Sequence, residues 1–260
     1  MIHPTAIIEP GARLGDGVEV GPWTLIGADV EIGEGTRIGS HVVIKGPTRI
    51  GARNQIFQFC SLGDAPQDKK YGGEASTLEI GDDNVIREYC TFNRGTEAGG
   101  GVTRVGSGNW IMAYVHIAHD CIVGDQVTMA NAAALAGHVE LGSHAILGGY
   151  TMVHQFCRLG ERCFSAMGSV VLKDVLPFVT VSGNPAAPHG LNAEGLRRHG
   201  YSAEAIAAMR RAYKAILREG RTTAAALERL EELREAAPEA AAEIGMLHEF
   251  LAGSGRGIAR

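Results

Sequence analysis

The residues best suited to chemistry lie in the stretch "YVHIAHDC", residues 114–121, which holds His116, His119 and Asp120. A histidine beside a carboxylate is a common arrangement for general-base catalysis. Consecutive residues of a strand point to opposite faces of the sheet. The Asp120 side chain can therefore contact that of His119 only if the chain turns a corner at these two residues. The sequence leaves that question open.

A hexapeptide repeat surrounds this stretch and must position it. Eleven consecutive aliphatic residues lie six apart: Ile2, Ile8, Leu14, Val20, Ile26, Ile32, Ile38, Ile44, Ile50, Ile56 and Leu62. The register resumes at Ile80 and again from Val105 to Leu159. A period of six is typical of a parallel β-helix, in which three hexads close one coil of eighteen residues. Antiparallel hairpins would instead show a period of two, so the pattern predicts a mainly β fold.

Residues eighteen apart should stack at the strand spacing of about 4.8 Å. His138 then lies above Asp120, Gly137 lies above His119, and His154 falls near the next coil. A backbone N–H of Gly137 over the imidazole would suit an oxyanion donor beside a general base. Three histidines around one metal ion, as in a zinc hydratase, remain the minor alternative, because the spacings match no familiar zinc motif.

The chain divides into two predicted parts. Residues 1–190 carry the repeat, with polar or Gly-rich loops inserted at about 64–77 and 93–103, and residues 191–260 form a small helical domain. Ser202 to Glu219 has apolar residues at helical spacing, and two shorter helices follow. Loops extruded from a solenoid cost little stability and often carry function.

Composition narrows the function further. The net charge of −5 gives no general attraction for nucleic acid. No apolar run approaches the roughly 20 residues of a membrane span, and no signal peptide is evident, so we expect a cytoplasmic protein without membrane insertion. The five cysteines form no C-x-x-C pair, which favours free, buried thiols.

Several motifs, in order along the chain, give a family resemblance: "HPTAIIEPGA", "QDKKYGGE", "NRGT…GGG", "HIAHDC", "LAGHV", "VHQFC", "GNPA" and "LNAEGLRRHGYS". With them the sequence resembles the UDP-N-acetylglucosamine O-acyltransferase family of lipid A biosynthesis, within the hexapeptide-repeat transferases. The resemblance implies a left-handed coil, although parallel crossovers are normally right-handed. It also implies a homotrimer with sites between subunits, and acyl transfer from an acyl-carrier protein to the 3-hydroxyl of UDP-GlcNAc without cofactor or metal.

The resemblance also assigns roles to individual residues. His119 is the implied catalytic base, oriented by Asp120, with the Gly137 amide stabilising the oxyanion. The implied substrate contacts are Asp68, Lys70, His116, His138, His154, Gln155, Asn192, Glu194 and Arg198. Met167 stands where some members have Gly at the end of the acyl pocket, so we expect a shorter acyl chain, near ten carbons. His199 replaces a second arginine after Arg198, and phosphate binding there should be weaker.

The segment 197–221 holds seven basic residues and two acidic ones, a local charge of +5 in a negative protein. Such a surface suits an acidic carrier protein. A purely structural solenoid would need neither this segment nor clustered histidines. The sister N-acyltransferases normally carry a domain before the repeat, whereas here the repeat begins at Ile2, which favours the O-acyltransferase. The sequence does not separate a 3-hydroxyl from a 3-amino sugar acceptor.

Overall fold

A computed structural model describes residues 1–260. The repeat forms a parallel β-helix of three sheets, followed by a small α-helical part, as the periodicity predicts, and the coil is left-handed, as the family resemblance implies. No helix is long and apolar enough to cross a membrane. The predicted division into domains at residue 190 stays a prediction.

The three sheets run along the three faces of the coil. Sheet 1 consists of β1 (Ile7–Ile8), β4 (Leu25–Ile26), β7 (Val43–Ile44), β10 (Ser61–Asp64), β13 (Thr91–Asn93), β16 (His116–Ile117), β19 (Ala134–Leu135), β22 (Met152–Val153) and β25 (Val170–Val171). Sheet 2 consists of β2 (Arg13–Leu14), β5 (Val30–Ile32), β8 (Thr48–Ile50), β11 (Thr77–Ile80), β14 (Val102–Val105), β17 (Ile122–Val123), β20 (Glu140–Leu141) and β23 (Arg158–Leu159). Sheet 3 consists of β3 (Glu19–Val20), β6 (Arg37–Ile38), β9 (Gln55–Ile56), β12 (Val85–Ile86), β15 (Trp110–Ile111), β18 (Thr128–Met129), β21 (Ile146–Leu147), β24 (Phe164–Ser165), β26 (Val179–Ser182) and β27 (Ala187–Leu191), of which only the last pair is antiparallel.

The interior of the coil is a column of mainly aliphatic side chains, to which most strands contribute one residue. Ile26, Ile44, Ile86 and Ile117 are all fully buried. Each two-residue strand buries one side chain and turns its neighbour outward, so no single coil could hold a core alone. Stacking of successive coils therefore supplies most of the stability.

The corner between sheet 1 and sheet 2 differs from the other two, and we call it the histidine corner. It comprises residues 118–120, 136–138, 154–156 and 172–174 on four successive coils. Both inserted loops leave the coil at this same corner, because one joins β10 to β11 and the other joins β13 to β14. A short 3₁₀ helix, Glu97–Gly99, lies in the second loop.

The helical part contains α1 (Ala193–Arg198), α2 (Ala203–Leu217), α3 (Thr223–Ala236) and α4 (Ala241–Ala252), with a 3₁₀ turn at Pro238–Ala240. Ser202 caps α2 through a hydrogen bond from the Ala205 N–H, and Thr222 caps α3 in the same way. The predicted helix over 202–219 is thus two residues shorter at its carboxyl end. Beyond α4 the chain returns to the coil, where Ile258 forms a parallel bridge with Asp174.

Candidate active site

His119 and Asp120 are in direct contact. The Asp120 backbone has φ 60°, in the left-handed region, so the corner falls at this residue and the two side chains converge instead of pointing to opposite faces. His119 Nδ1 lies 2.7 Å from Asp120 Oδ2. When Nδ1 carries the proton toward the carboxylate, Nε2 is left unprotonated and available as a base.

The Asp120 carboxylate is almost fully buried and has three donors. Besides His119, it accepts hydrogen bonds from the Thr96 N–H and the Thr96 hydroxyl, both at 2.7 Å. A buried carboxylate needs such partners, because leaving it unpaired would be costly. The Asp120 N–H in turn donates to Thr103 Oγ1 at 2.8 Å. The second inserted loop therefore holds the carboxylate that orients His119.

Small residues make room for this pair. A Cβ on Gly137 would lie 2.6 Å from His119 Cε1 and 2.7 Å from Nε2. A Cβ on Gly99 would lie 2.0 Å from Asp120 Cγ. The N–H of the buried Gly137 donates to no acceptor in the chain. The His119 ring and a backbone N–H without an acceptor in the chain thus belong to neighbouring residues of adjacent coils.

His138 and His116 flank the pair from above and from the strand. His138 Nε2 is 3.7 Å from Asp120 Oδ2, and its ring stacks on Phe156 at 4.4 Å between centroids. Burial lowers the pKa of His138, although Asp120 and Asp68 oppose the shift. Burial also lowers the pKa of His116, whose Nδ1 lies 2.7 Å from Thr91 Oγ1. Both rings are therefore held neutral at pH 7, where they can donate or accept single hydrogen bonds.

His119, Asp120 and His138 also offer ligand atoms within 4.8 Å of one another, close enough for a metal ion. Both Asp120 oxygens already accept hydrogen bonds from Thr96, and His119 Nδ1 already faces the carboxylate. An ion would have to displace this network. The donor set fits proton transfer better than metal binding.

The first inserted loop brings its predicted residues to the same corner. Asp68 is near enough to His138 to influence its pKa. The Lys70 N–H donates to Asp68 Oδ1 at 2.9 Å, and the Lys70 side chain is exposed. Gln155 and His154 lie on the coil above Gly137, with their side chains exposed. All these residues share one edge of the molecule with His119.

The predicted nucleotide residues lie elsewhere in the same chain. Asn192 caps α1 and donates to the carbonyl of Arg162, which belongs to the corner between sheet 2 and sheet 3. Glu194 forms ion pairs with Arg197 and Arg198. The structure therefore does not bring Asn192, Glu194 and Arg198 to His119 within one chain.

His199, which stands where the family pattern has a second arginine, lies at the second corner, between sheet 2 and sheet 3. Its backbone caps α1, and its ring meets His144 edge to face at 5.0 Å between centroids. The pKa of His144 is lowered, by burial first and then by Arg162 and His199 nearby. His144, Arg162 and His199 therefore form a cluster of hydrogen-bond donors beside Arg198.

Met167 lies at the third corner, between sheet 3 and sheet 1, and is 78% exposed. The outer face of sheet 1 leads to it through a register column of His116, Ala134, Met152 and Val170. Three strand spacings, roughly 14 Å, separate the first of these residues from the last. Beyond His116 the column is apolar, which is what a hydrocarbon chain requires.

Three further residues belong to this site that the sequence did not indicate. Thr96 anchors Asp120, Phe156 stacks on His138, and Gly99 leaves space for the carboxylate. The motif "NRGT…GGG" contained two of them, and stacking arithmetic would have put Phe156 above His138. All five cysteines are free and buried, as predicted. Burial raises the pKa of Cys121 to about 12, so the thiol beside Asp120 is no nucleophile at neutral pH.

Family models, protein relatives and solved structures all match this chain. The family model for bacterial transferase hexapeptides (six repeats) matches residues 11–46 and 103–137, and the one described as UDP N-acetylglucosamine O-acyltransferase, domain 2, matches residues 174–259. Coil, corner site and helical part together define a hexapeptide-repeat acyltransferase. The chain belongs to the acyl-[acyl-carrier-protein]–UDP-N-acetylglucosamine O-acyltransferase family, because it is 65% identical to that protein from Thiobacillus denitrificans, over 100% of this chain and 99% of the relative.

Other relatives match this chain over its whole length. The protein of the same name from Alkalilimnicola ehrlichii is 58% identical, again over 100% of this chain and 99% of the relative. Among solved structures, UDP-N-acetylglucosamine O-acyltransferase from Moraxella catarrhalis superimposes with a TM-score of 0.97 at 46% identity, covering 100% and 99% of the two chains. The Francisella novicida enzyme gives a TM-score of 0.95 at 39% identity, covering 100% and 94%.

Proposed function

We propose that this chain transfers a 3-hydroxyacyl group from acyl-carrier protein to the 3-hydroxyl of UDP-N-acetylglucosamine, in the cytoplasm, as a step of lipid A biosynthesis. The names of its relatives support the reaction class. The observation that carries the proposal is the close approach of Gly137 to the His119 ring, whose Nδ1 faces Asp120, together with a Gly137 N–H that has no acceptor in the chain.

The mechanism needs no covalent enzyme intermediate. His119 Nε2 takes the proton of the sugar 3-hydroxyl as its oxygen attacks the thioester carbonyl, and the Gly137 N–H donates to the developing oxyanion. Asp120 stabilises the resulting imidazolium. The tetrahedral intermediate collapses, the C–S bond breaks, and the carrier thiolate receives the proton from His119. Asp68, Lys70, His116, His138, His154 and Gln155 bind the sugar, its diphosphate and the acyl chain in this proposal.

His119→Ala tests the base directly. Loss of a general base costs about 100- to 10,000-fold in rate, so kcat should fall by that factor in an assay with UDP-GlcNAc and 3-hydroxyacyl carrier protein. His41→Ala, an exposed histidine at the third corner, is the matched control and should keep wild-type activity. A His119→Ala enzyme that kept full activity would exclude the proposed base. If the wild type transferred no acyl group, a metal analysis would test the hydratase alternative.

We also propose a homotrimer with its sites between subunits. The support is the separation of the residues: His119 lies at the histidine corner, while Asn192 and Arg198 lie by the corner between sheets 2 and 3. One chain therefore holds two half-sites facing different directions. A cyclic trimer would bring the histidine corner of one subunit against the α1 region of its neighbour.

Mixed trimers test this arrangement. His119→Ala and Arg198→Ala chains carrying different tags are coexpressed, and trimers containing both are isolated and assayed at UDP-GlcNAc below KM. Sites shared between neighbours leave one intact site in each mixed trimer, or about one third of wild-type activity. Each pure mutant trimer should stay far below that value. Mixed trimers no more active than the pure mutants, or a monomer in solution, would contradict the shared site.

Met167 is proposed to limit the acyl chain to about ten carbons, at the far end of the apolar column on sheet 1. Met167→Gly should shift the preferred donor to a longer chain, because burial of each added methylene would then stabilise the bound donor by about 0.8 kcal/mol. The assay compares kcat/KM for carrier proteins charged with 3-hydroxyacyl chains of increasing length. Met246→Gly, on α4, is the control. If Met167→Gly left the preferred acyl chain length unchanged, Met167 would not be the residue that limits it.

Carrier protein is proposed to dock on α2. Of the basic segment 197–221, Arg197, Arg198 and Arg221 are paired with glutamates, and Arg218 donates to Pro188 O and Tyr213 Oη. Arg210, Arg211 and Lys214 remain exposed, without ion pairs, on one face of the helix. This face has the charge that an acidic carrier requires.

Replacing Arg210, Arg211 and Lys214 together by Ala should lower kcat/KM for acyl-carrier protein and flatten its dependence on salt, since steering between charges is screened by ions. The KM for UDP-GlcNAc should not change. Arg37→Ala, in sheet 3 far from α2, is the control. If kcat/KM depended on salt equally in the wild type and the triple mutant, α2 would not be the docking surface.

A further inference from the structure

The C-terminal segment 253–260 folds back over the end of the histidine corner and is fastened there on both sides of Arg256. On the near side, Ser254 Oγ donates to Asp174 Oδ2 at 2.7 Å, and the Gly253 carbonyl accepts from Arg158 Nη1 at 3.1 Å. On the far side, the Asp174 N–H donates to Gly257 O and the Ala259 N–H donates to Asp174 O. The segment is therefore a fixed loop with Arg256 at its apex.

Asp174 holds this loop firmly, because its carboxylate is buried and both of its oxygens accept hydrogen bonds from the protein. It is 1% exposed, and its Oδ1 also accepts from the Arg158 N–H at 2.9 Å. Ile258, at 5% exposure, belongs to the same buried core as the side chains inside the coil. Burial of Ile258 and pairing of Asp174 together hold the loop where it is.

Arg256 points from this loop into the predicted site. Its Nη2 lies 3.4 Å from His154 Nδ1, and its side chain is exposed. No carboxylate lies within ion-pairing distance of its guanidinium, in contrast to Arg158, which pairs with Glu140. His154 stacks above Ala136 and Ala118, so Arg256 stands about two coil spacings, roughly 10 Å, from His119 along the axis.

We propose that Arg256 binds a phosphate group of a substrate at the upper end of the histidine corner. An arginine held by its backbone, exposed, without a carboxylate partner and beside the side chain of His154, is arranged for a phosphate oxygen. The inference rests on the proposed function, which supplies two phosphate sources: the diphosphate of the nucleotide sugar and the phosphodiester of the carrier's prosthetic arm. Arg256 acts in binding and takes no part in proton transfer.

Arg256→Ala separates these sources. If the nucleotide diphosphate is the ligand, KM for UDP-GlcNAc should rise roughly 10- to 100-fold, the usual effect of losing a charge-assisted hydrogen bond, while KM for carrier protein and kcat stay near wild type. A rise in KM for carrier protein alone would assign Arg256 to the phosphodiester instead. Arg256→Lys should recover part of the loss, because the charge is kept without the two-pronged geometry.

Arg260→Ala, an exposed arginine on the same segment beyond the anchors, is the matched control and should behave as wild type. Calorimetric titration with UDP-GlcNAc alone repeats the test without turnover. Unchanged KM values and unchanged titration in Arg256→Ala would overturn the inference. A wild type that binds UDP-GlcNAc but transfers no acyl group would overturn the proposed function and leave the titration as the test of Arg256.

Discussion

Backbone hydrogen bonds between successive coils are the constraint on which the rest of the molecule depends. The His138 N–H donates to His119 O, and the Phe156 N–H donates to Gly137 O, so each corner is held directly over the one below. Side chains eighteen residues apart inherit their spacing from these bonds. The inserted loops leave the pairing intact, because Ser61 still pairs with Thr91 across the first of them. The positions of His119, Gly137 and His138 relative to one another are thus fixed by the backbone of the coil.

The buried carboxylate joins that rigid coil to the loops. Asp120 could not be buried without Thr96, since removal of its donors would leave a charge in a nearly dry environment. The same bonds order the loop that carries Thr96. The hydrogen bonds that orient His119 through Asp120 are thus also bonds that hold the loop, and Gly99 and Gly137 leave the space that this arrangement needs.

The period of six in the sequence predicted the parallel coil, the stacking of His138 on Asp120 and the insertion points of both loops, because these follow from counting residues. The contact between His119 and Asp120 could not be predicted, since it depends on the left-handed backbone at Asp120. Thr96 was missed because a loop conformation, not a repeat, brings it to the carboxylate. Arg256 is 102 residues from His154, and no periodicity connects them.

A straight coil presents flat faces, and this is the physical reason for proposing that the substrate site is shared between chains. A cavity of about 540 Å³ lies at the amino-terminal end beside Val20 and Phe57, away from His119. Along the histidine corner, the loops and the C-terminal segment build walls at the two ends, while the face of sheet 1 stays open between them. A long acyl chain and a nucleotide sugar need cover on more sides than this. A neighbouring copy, presenting Asn192 and Arg198 from its own second corner, would supply that cover without any change in the coil.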